Sequence, residues 1–358
     1  MTIITSRDFS VPKIQAFSEF NNIFAKNFGM KRILGIGNAL VDVMTIIDDD
    51  KVLENFNLPK GSMQLVDHRM SDKIKSGTSH LQVKSISGGS VANTIHGLAI
   101  LGADTGFIGA VGKDQTGDFF EDDMKKAGVN TLLFRRNEVT GTAIALISPD
   151  RERTFATHLG AAVELDASDL KPILFDGYDI LYPEGYLINN FPLFETACSI
   201  AKDKGMIVAL DLSSYNVVEA YKESFRKILD QYVDILFANE LEAKAFTGKA
   251  PEDALHLLSD SANIVVVKIG IEGSLIKQGD EVVKIDVFPV DCIDTTGAGD
   301  LYAAGFLYGY SKDLGIEKCG LLGSLMASSV IGTFGARIDP SNLPDIKAKI
   351  QGIVSARQ

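Results

Sequence analysis

From Ile33 onward, short apolar runs alternate with longer stretches of mixed polarity. Ile33–Gly37, Gly106–Val111, Thr142–Ser148, Ile180–Tyr182, Ile207–Leu210, Ile235–Phe237 and Ile264–Lys268 read as strands. The intervening Ser90–Leu101, Phe119–Ala127, Phe194–Lys204 and Ser224–Gln231 read as helices, as do a stretch opening near Leu241, Asp300–Tyr310 and Lys318–Ile331. Strands that alternate with helices predict an α/β fold with a parallel sheet covered on both faces.

Two stretches break this rhythm. Residues 42–66 and 131–158 carry short alternating segments with charged loops, such as Asp48-Asp49-Asp50 and Asp150-Arg151-Glu152-Arg153. They read as half-exposed strands that together form a small β-lid over one end of the main sheet, with ordinary surface hairpins as the plain alternative. Residues 1–30 differ again. Phe17, Phe20, Phe24 and Phe28 recur at roughly helical spacing, with Phe9 ahead of them, which suggests an amphipathic accessory helix. The predicted organisation is an extension over 1–30, a core over 31–345 with the lid segments inserted, and a C-terminal helix or tail over 346–358.

Composition narrows the function classes. The 358 residues are 46% hydrophobic and 23% charged, ordinary values for a soluble globular protein. The net charge is −12 and no Lys/Arg-rich block occurs, so no nucleic-acid partner is expected. Acidity does not exclude a small phosphorylated ligand, because backbone N–H groups bind phosphate without lysine. Cys198, Cys292 and Cys319 are widely spaced, lack metal-ligand spacing and suit a reducing compartment. His68, His80, His96, His158 and His256 form no ligand spacing either. No apolar run reaches the ~18 residues of a membrane span, and residues 1–30 lack a secretory pattern. A cytoplasmic location without membrane contact is the expectation.

The chemistry concentrates in a few runs. Asp294-Thr295-Thr296-Gly297-Ala298-Gly299-Asp300 leads into an apolar helix. Its glycines allow a tight turn, and the helix start points N–H groups at that turn, which makes an anion site of backbone. Asp300 beside it could accept the proton of an attacking hydroxyl. An Asp N-cap after a glycine turn is the common alternative.

Gly88-Gly89-Ser90-Val91-Ala92-Asn93 opens a helix with Ser90 and Asn93 on one face of its first turn. Gly35-Ile36-Gly37-Asn38-Ala39-Leu40-Val41-Asp42 follows the first strand, but Leu40 occupies the third-glycine position of a dinucleotide fingerprint. Asn239-Glu240-Leu241-Glu242 follows an apolar strand, where acidic residues also suit a helix start. Gly270 and Gly273 form a Gly-x-x-Gly turn after the strand ending at Lys268. No Gly-x-x-x-x-Gly-Lys-Ser/Thr run is present, which disfavours a P-loop kinase.

The run ending at Asp300, continued by Ala304-Gly305, closely resembles the carboxy-terminal signature of the ribokinase-like, or PfkB, family of sugar and nucleoside kinases. The resemblance spans roughly Lys31 to Asp345. It implies a three-layer α/β/α domain with a mainly parallel central sheet and a small β-sheet lid. It implies ATP-dependent phosphoryl transfer, with Asp300 as general base and Gly297, Ala298 and Gly299 around the transferring group. Asn38, Asp42, Gly88, Gly89, Ser90 and Asn93 would line the acceptor site. Asn239 and Glu242 would organise Mg²⁺ through water, with Thr296, Gly270 and Gly273 near the nucleotide. The family often has Thr where Lys268 stands, which puts that contact in doubt.

Within the family, Ser90, the Gly37-Asn38-x-Leu40-x-Asp42 run and Arg153–Ala162 look most like adenosine kinases. A purine needs apolar walls, for which Leu40, Phe155 and Tyr186 are candidates, ordinary packing being the alternative. Arg153 could reach a phosphate across the closed site or stand exposed on the lid. Kinases of a free sugar such as ribose or fructose are the nearest competitor. An NAD-dependent oxidoreductase is disfavoured by the broken glycine fingerprint, and a non-catalytic nucleoside-binding protein by the intact Asp300 and Asn239/Glu242. A monovalent cation such as K⁺ is left open, as is a homodimer in which the lid pairs with a second copy.

Overall fold

The computed structural model describes residues 29–81, 83–150 and 152–356. The helix predicted over residues 1–30 lies almost wholly outside them. The strands in chain order are β1 (Ile33–Ile36), β2 (Leu40–Ile46), β3 (Met63–Leu65), β4 (Val83–Gly88), β5 (Thr105–Gly112), β6 (Asn130–Arg136) and β7 (Thr140–Ile147). They continue as β8 (Arg153–Gly160), β9 (Ile180–Pro183), β10 (Ile207–Asp211), β11 (Ile235–Asn239), β12 (Ile264–Lys268), β13 (Ser274–Gln278) and β14 (Glu281–Ile285).

Nine strands form one sheet in the order β14-β13-β12-β11-β10-β9-β1-β5-β6. The pairings from β12 through β6 are parallel, and β13 and β14 extend the sheet as an antiparallel hairpin. β1 and β5 are buried along their whole length, which is why their sequences read as continuous apolar runs without alternation. On one face, Leu34, Ile36, Phe194, Phe225 and Leu236 belong to a large apolar cluster. On the other, the Ala298–Ser311 helix lies between the Ile316–Ile331 and Ser90–Ile100 helices. Phe306 meets Phe237 edge-on with ring centroids 5.2 Å apart, which pins the Ala298–Ser311 helix onto β11.

β2, β3, β4, β7 and β8 form a separate five-stranded sheet in the order β3-β8-β7-β2-β4. Its two faces follow from period two. Ile144, Leu146 and Ala156 face a small core closed by Leu53, Phe56 and Ile74 from two short helices. The opposite face carries Leu40, Asp42, Met44, Ala145 and Phe155, as the registers of β2, β7 and β8 require.

The expected grouping of the lid needs correction. Residues 131–136, placed in the lid by their alternating pattern, belong to β6 at the edge of the large sheet, paired to β5. β4, which lies outside both stretches assigned to the lid, supplies a lid edge. A half-covered edge strand and a lid strand share the same alternation, so periodicity alone does not separate them.

Helix starts also shift. The helix expected from Phe119 opens at Gln115, because the Asp114 side chain caps the Gly117 N–H in a polar first turn. The helix expected at Asp300 opens at Ala298, with Gly297 at the cap position and no side-chain cap. The C-terminal helix spans Leu343–Ser355. Among the described residues no helix is long and apolar enough to cross a membrane.

Candidate active site

Three neighbouring parallel strands end side by side at chemically active residues: β10 at Asp211, β11 at Asn239 and β12 at Lys268. Ligands of open α/β sheets bind at this carboxyl edge. The Asp294–Asp300 run crosses it. Gly297 adopts φ +74°, a left-handed conformation, and a Cβ there would lie 2.7 Å from the Ala336 Cβ. That turn leaves Asp300 as the third residue of the helix, not its cap. The N–H groups of Gly297, Gly299 and Asp300 donate to no described residue, whereas those of Thr296 and Ala298 are used by Asp294 and Thr295. Of the expected Gly297, Ala298 and Gly299, the N–H of Ala298 is thus occupied, and that of Asp300 joins the two glycines as a donor without a partner among the described residues.

The Asp300 carboxylate is held from both sides. Ser90 Oγ donates to Oδ1 at 2.7 Å and Asn93 Nδ2 donates to Oδ2 at 2.9 Å. Thr94 Oγ1 donates to the Asp300 carbonyl at 3.0 Å, so the Ser90–Ile100 helix clamps both main chain and side chain. Burial lifts the Asp300 pKa to about 6 against the two hydrogen bonds that favour its charged form. Asn93 Oδ1 is buried without a partner among the described residues.

Asp42 lies nearby on the inward face of the small sheet. Its pKa is raised to about 7, by burial first and by the Asp300 charge, with the Arg337 charge opposing; no hydrogen bond from the described residues supports it. A Cβ on Gly88 would fall 2.2 Å from Asp42 Oδ1, so the carboxylate lies directly on the glycine backbone. Gly89 takes φ +99°, and a Cβ there would strike the Asn38 carbonyl at 2.2 Å. Both glycines are thus needed where they stand. Leu40 and Phe155 share the face that carries Asp42.

Other expected residues are placed differently. The Asn38 side chain is spent on the buried Glu184, whose pKa burial raises to about 7. Arg153 also rises from that face, but its guanidinium pairs with Asp294 at 2.8 Å. It therefore ties lid to core and is not poised free for a phosphate. Tyr186 donates to the Ser213 carbonyl at 3.4 Å from the core side. The Thr296 hydroxyl donates to Asp294 at 2.7 Å.

Asn239 and Glu242 form a reciprocal capping box. Asn239 N–H and Nδ2 donate to the Glu242 carboxylate, each at 2.7 Å, and Glu242 N–H donates to Asn239 Oδ1 at 2.9 Å. Glu242 is buried and its carboxyl is held above the ordinary range by burial and by Asp211, with Lys268 opposing. Lys268 Nζ donates to Asp211 Oδ2 at 2.5 Å. Gly270 and Gly273, both at positive φ, shape the turn from β12 to β13. Among the described residues no three acidic, histidine or cysteine side chains gather as a metal site.

Sequence reasoning missed Arg337, Asp211 and Glu184. Arg337 donates to the Ser87 carbonyl at 2.5 Å and to Ser87 Oγ at 2.7 Å, stitching the segment after the last core helix to the di-glycine turn. Burial lowers its pKa to about 10, and Asp123, Asp42 and Asp300 oppose that. Neither Arg337 nor Asp211 belongs to a recognisable run; only Asp211, at a strand's carboxyl end, had a positional signal. A cleft of about 510 Å³ opens beyond Met44 and shares Arg337, His96 and Asp123, but it does not contain Asp300.

The pattern of the pfkB family carbohydrate kinases matches residues 67–343. The structure superimposes on a crystal structure of adenosine kinase from Sinorhizobium meliloti with a TM-score of 0.80 and 34% identity, over 90% of this chain and 100% of that one. A probable sugar kinase from Rhizobium etli gives a TM-score of 0.82 and 32% identity over 90% of this chain and 99% of that one. An uncharacterized sugar kinase of Archaeoglobus fulgidus is 31% identical over 67% of this chain and 96% of its own length. The chain belongs to the pfkB family of carbohydrate kinases: it is a phosphotransferase with a hydroxyl acceptor, of nucleoside or sugar type.

Proposed function

We propose that this kinase transfers the γ-phosphoryl group of ATP to the 5′-hydroxyl of adenosine, giving AMP and ADP. The carrying observation is Asp300. It is a partly buried carboxylate with a pKa raised to about 6, held by Ser90 and Asn93 beside three N–H groups at a helix start that have no partner among the described residues. That combination supports one role each for acid–base chemistry and for charge. Asp300 takes the proton of the acceptor hydroxyl. The N–H groups of Gly297, Gly299 and Asp300 stabilise the negative charge that develops on the transferring group. The inward face of the small sheet closes over them and excludes water, with Arg153–Asp294 as its latch.

The acceptor assignment rests on Asp42 and Asn93. Among the described residues Asp42 has no hydrogen-bond donor, and Asn93 Oδ1 is a buried acceptor without a partner. Buried acceptors of this kind call for donors, and a ribose 2′,3′-diol offers two. Leu40 and Phe155 provide apolar surface beside them for a purine. The likeness to a named adenosine kinase points the same way.

The triphosphate arrives as its Mg²⁺ complex. Mg²⁺ prefers oxygen ligands and keeps several waters. The Glu242 carboxylate is already engaged by Asn239, so this pair fits an ion held through water and does not fit direct ligation. The ion would neutralise the charge between the phosphates.

A second reading, a kinase of a free sugar, is favoured by the likeness to two proteins described as sugar kinases. A coupled ADP-release assay over adenosine, inosine, guanosine, ribose and fructose separates the two. Preferred turnover of adenosine supports the proposal. Turnover of ribose or fructose with none on adenosine overturns it.

A further inference from the structure

We infer that Arg337 is a positioning residue of the acceptor site: without touching the substrate, it sets how tightly the hydroxyl-bearing substrate binds, by gripping the di-glycine turn and by acting on Asp42. This rests on the reading of Asp42 as the group that receives the acceptor's hydroxyls.

An open strand edge sets the geometry. β4 is an outer strand of the small sheet, paired to β2 on one side only. Near its end, Ser87 would leave a main-chain N–H and carbonyl with no further strand to pair with. Side chains of the core take that place. Asp123, on the Gln115–Lys126 helix, accepts from the Ser87 N–H at 3.1 Å and from Ser87 Oγ at 2.6 Å. Arg337 donates to the Ser87 carbonyl at 2.5 Å and to Ser87 Oγ at 2.7 Å, and it reaches the Asn93 carbonyl at 3.5 Å. One guanidinium thus spans the end of β4 and the first turn of the Ser90–Ile100 helix. The Ser87 carbonyl belongs to the peptide that leads into Gly88, and the Asp42 carboxylate lies directly on Gly88.

The segment that carries Arg337 is wedged in place. Gly335 takes φ +87°, and a Cβ there would lie 2.9 Å from Met44 Sδ on the inward face of the lid. Ala336 is the residue whose approach requires Gly297 to be a glycine. The lid, the Gly297 turn and the di-glycine turn therefore meet at residues 335–337.

A merely structural clamp would not need a charge here. Burying a guanidinium is costly unless it is paired. Among the described residues, the hydrogen bonds of Arg337 all go to neutral oxygens, and its Nε is buried without a partner. A neutral side chain could make such bonds at lower cost. The charge finds its counterparts at longer range in Asp123, Asp42 and Asp300. Ser87 satisfies Asp123, and Ser90 and Asn93 satisfy Asp300. Asp42 has no such bond from the described residues, so the Arg337 charge is what opposes its burial. Without that charge the carboxylate is harder to ionise, and a protonated carboxyl offers fewer acceptor sites to a substrate's hydroxyls.

The other charged and titratable groups nearby are Lys84 on β4, His96 on the Ser90–Ile100 helix, and Asp339; they line one cleft with Arg337 and Asp123. Burial and the Arg337 charge keep His96 neutral, and hydrogen bonds from Ser341 keep Asp339 ionised. Around pH 7 the groups of this neighbourhood that change charge are Asp42 and Asp300.

Equilibrium binding of adenosine without nucleotide, followed by calorimetry from pH 5.5 to 9.5, tests this on Arg337→Gln and Arg337→Lys. If the parent turns over ribose in place of adenosine, the titration uses ribose, which carries the same diol. In the parent, affinity falls below about pH 7 as Asp42 takes up a proton. Arg337→Gln moves that break up by about one pH unit, which weakens binding about fivefold at pH 7 and less toward pH 9.5. Arg337→Lys keeps the charge and loses the planar fork, so its break stays near the parent's while affinity drops by one factor at all pH values. Affinity for the β,γ-imido analogue of ATP stays within a few-fold in both. Should Arg337→Gln not fold, Arg337→Gln/Asp123→Asn, which removes the charges on either side of Ser87 together, shows the same shift.

A break that stays in place when the charge is removed, or that moves equally in Arg337→Lys, overturns the inference. Asp42→Asn separates this failure from a failure of the reading beneath it. If Asp42→Asn binds like the parent, the acceptor role of Asp42 itself fails. If it loses affinity and the break while Arg337→Gln keeps its break, only the role of Arg337 fails.

Discussion

Replacing Ser90 by alanine removes one of the two side-chain donors to the Asp300 carboxylate, the 2.7 Å bond to Oδ1. That bond favours the ionised form and opposes the burial that raises the pKa to about 6. A hydrogen bond to a charged group is worth about 1.5–3 kcal/mol. At 1.36 kcal/mol per pH unit, its loss moves the pKa up by about 1–2 units. A general base works only when ionised, so the acidic limb of kcat/KM, which reports the free enzyme, shifts from about 6 to about 7–8. At pH 7 the variant loses about two- to tenfold in kcat/KM and recovers toward pH 9. A coupled ADP-release assay from pH 5 to 9.5 measures both limbs. A variant whose activity drops by one factor at all pH values, with the limb unmoved, refutes the argument that Ser90 tunes Asp300. Ser90 would then act on the substrate alone.

Two further outcomes follow from the same geometry. Arg153→Met cuts the lid from Asp294, which is buried but keeps donors from Thr296 and Gly335. The expected loss is about 1.5–3 kcal/mol, read as a lower urea midpoint and faster amide exchange in β7 and β8; exchange and midpoint both unchanged contradict the latch. Stability of the ligand-free protein falls as pH rises. Asp42, Glu184, Asp300 and Glu242 have folded pKa values above those of the unfolded chain, 3.8 for Asp and 4.5 for Glu. Their full contribution is therefore present below about pH 4 and is lost as pH rises through about 6–7. His96, buried neutral with a pKa lowered to about 3, and His158, whose pKa burial also lowers, oppose this only below the ordinary histidine value of 6.5, two groups against four. Urea midpoints at pH 6 and pH 8 should fall in that order, and the reverse order contradicts the assignment of these shifts.

The parallel sheet was legible because its central strands are buried on both faces and read as unbroken apolar runs. Asp300, Ser90 and Asn93 were legible because each sits at a helix start marked by glycine, and the structure brings all three within hydrogen-bond distance. The lid was only partly legible. β6 and β8 share one alternation, and pairing partners distant in sequence decide which sheet each joins. Arg337 and Asp211 escaped because no local pattern announces a side chain whose role is set by residues 250 and 57 positions away. Arg153 was found, but as a free cation. The sequence holds Asp294 at the start of the glycine run without revealing that it lies across the lid as the partner of Arg153. The partner of Asn38 was hidden for the same reason, since Glu184, which takes up its amide, lies 146 positions later.

The central claim is that Asp300 removes the acceptor proton during phosphoryl transfer. Asp300→Asn keeps the shape and one of the two carboxylate acceptors but cannot take a proton, so it tests the claim directly. Turnover and binding of the β,γ-imido analogue of ATP should be measured together on the purified variant. The account predicts a kcat lower by about 10² or more, with the affinity for the analogue within a few-fold of the parent. A kcat close to the parent value, with binding intact, contradicts it.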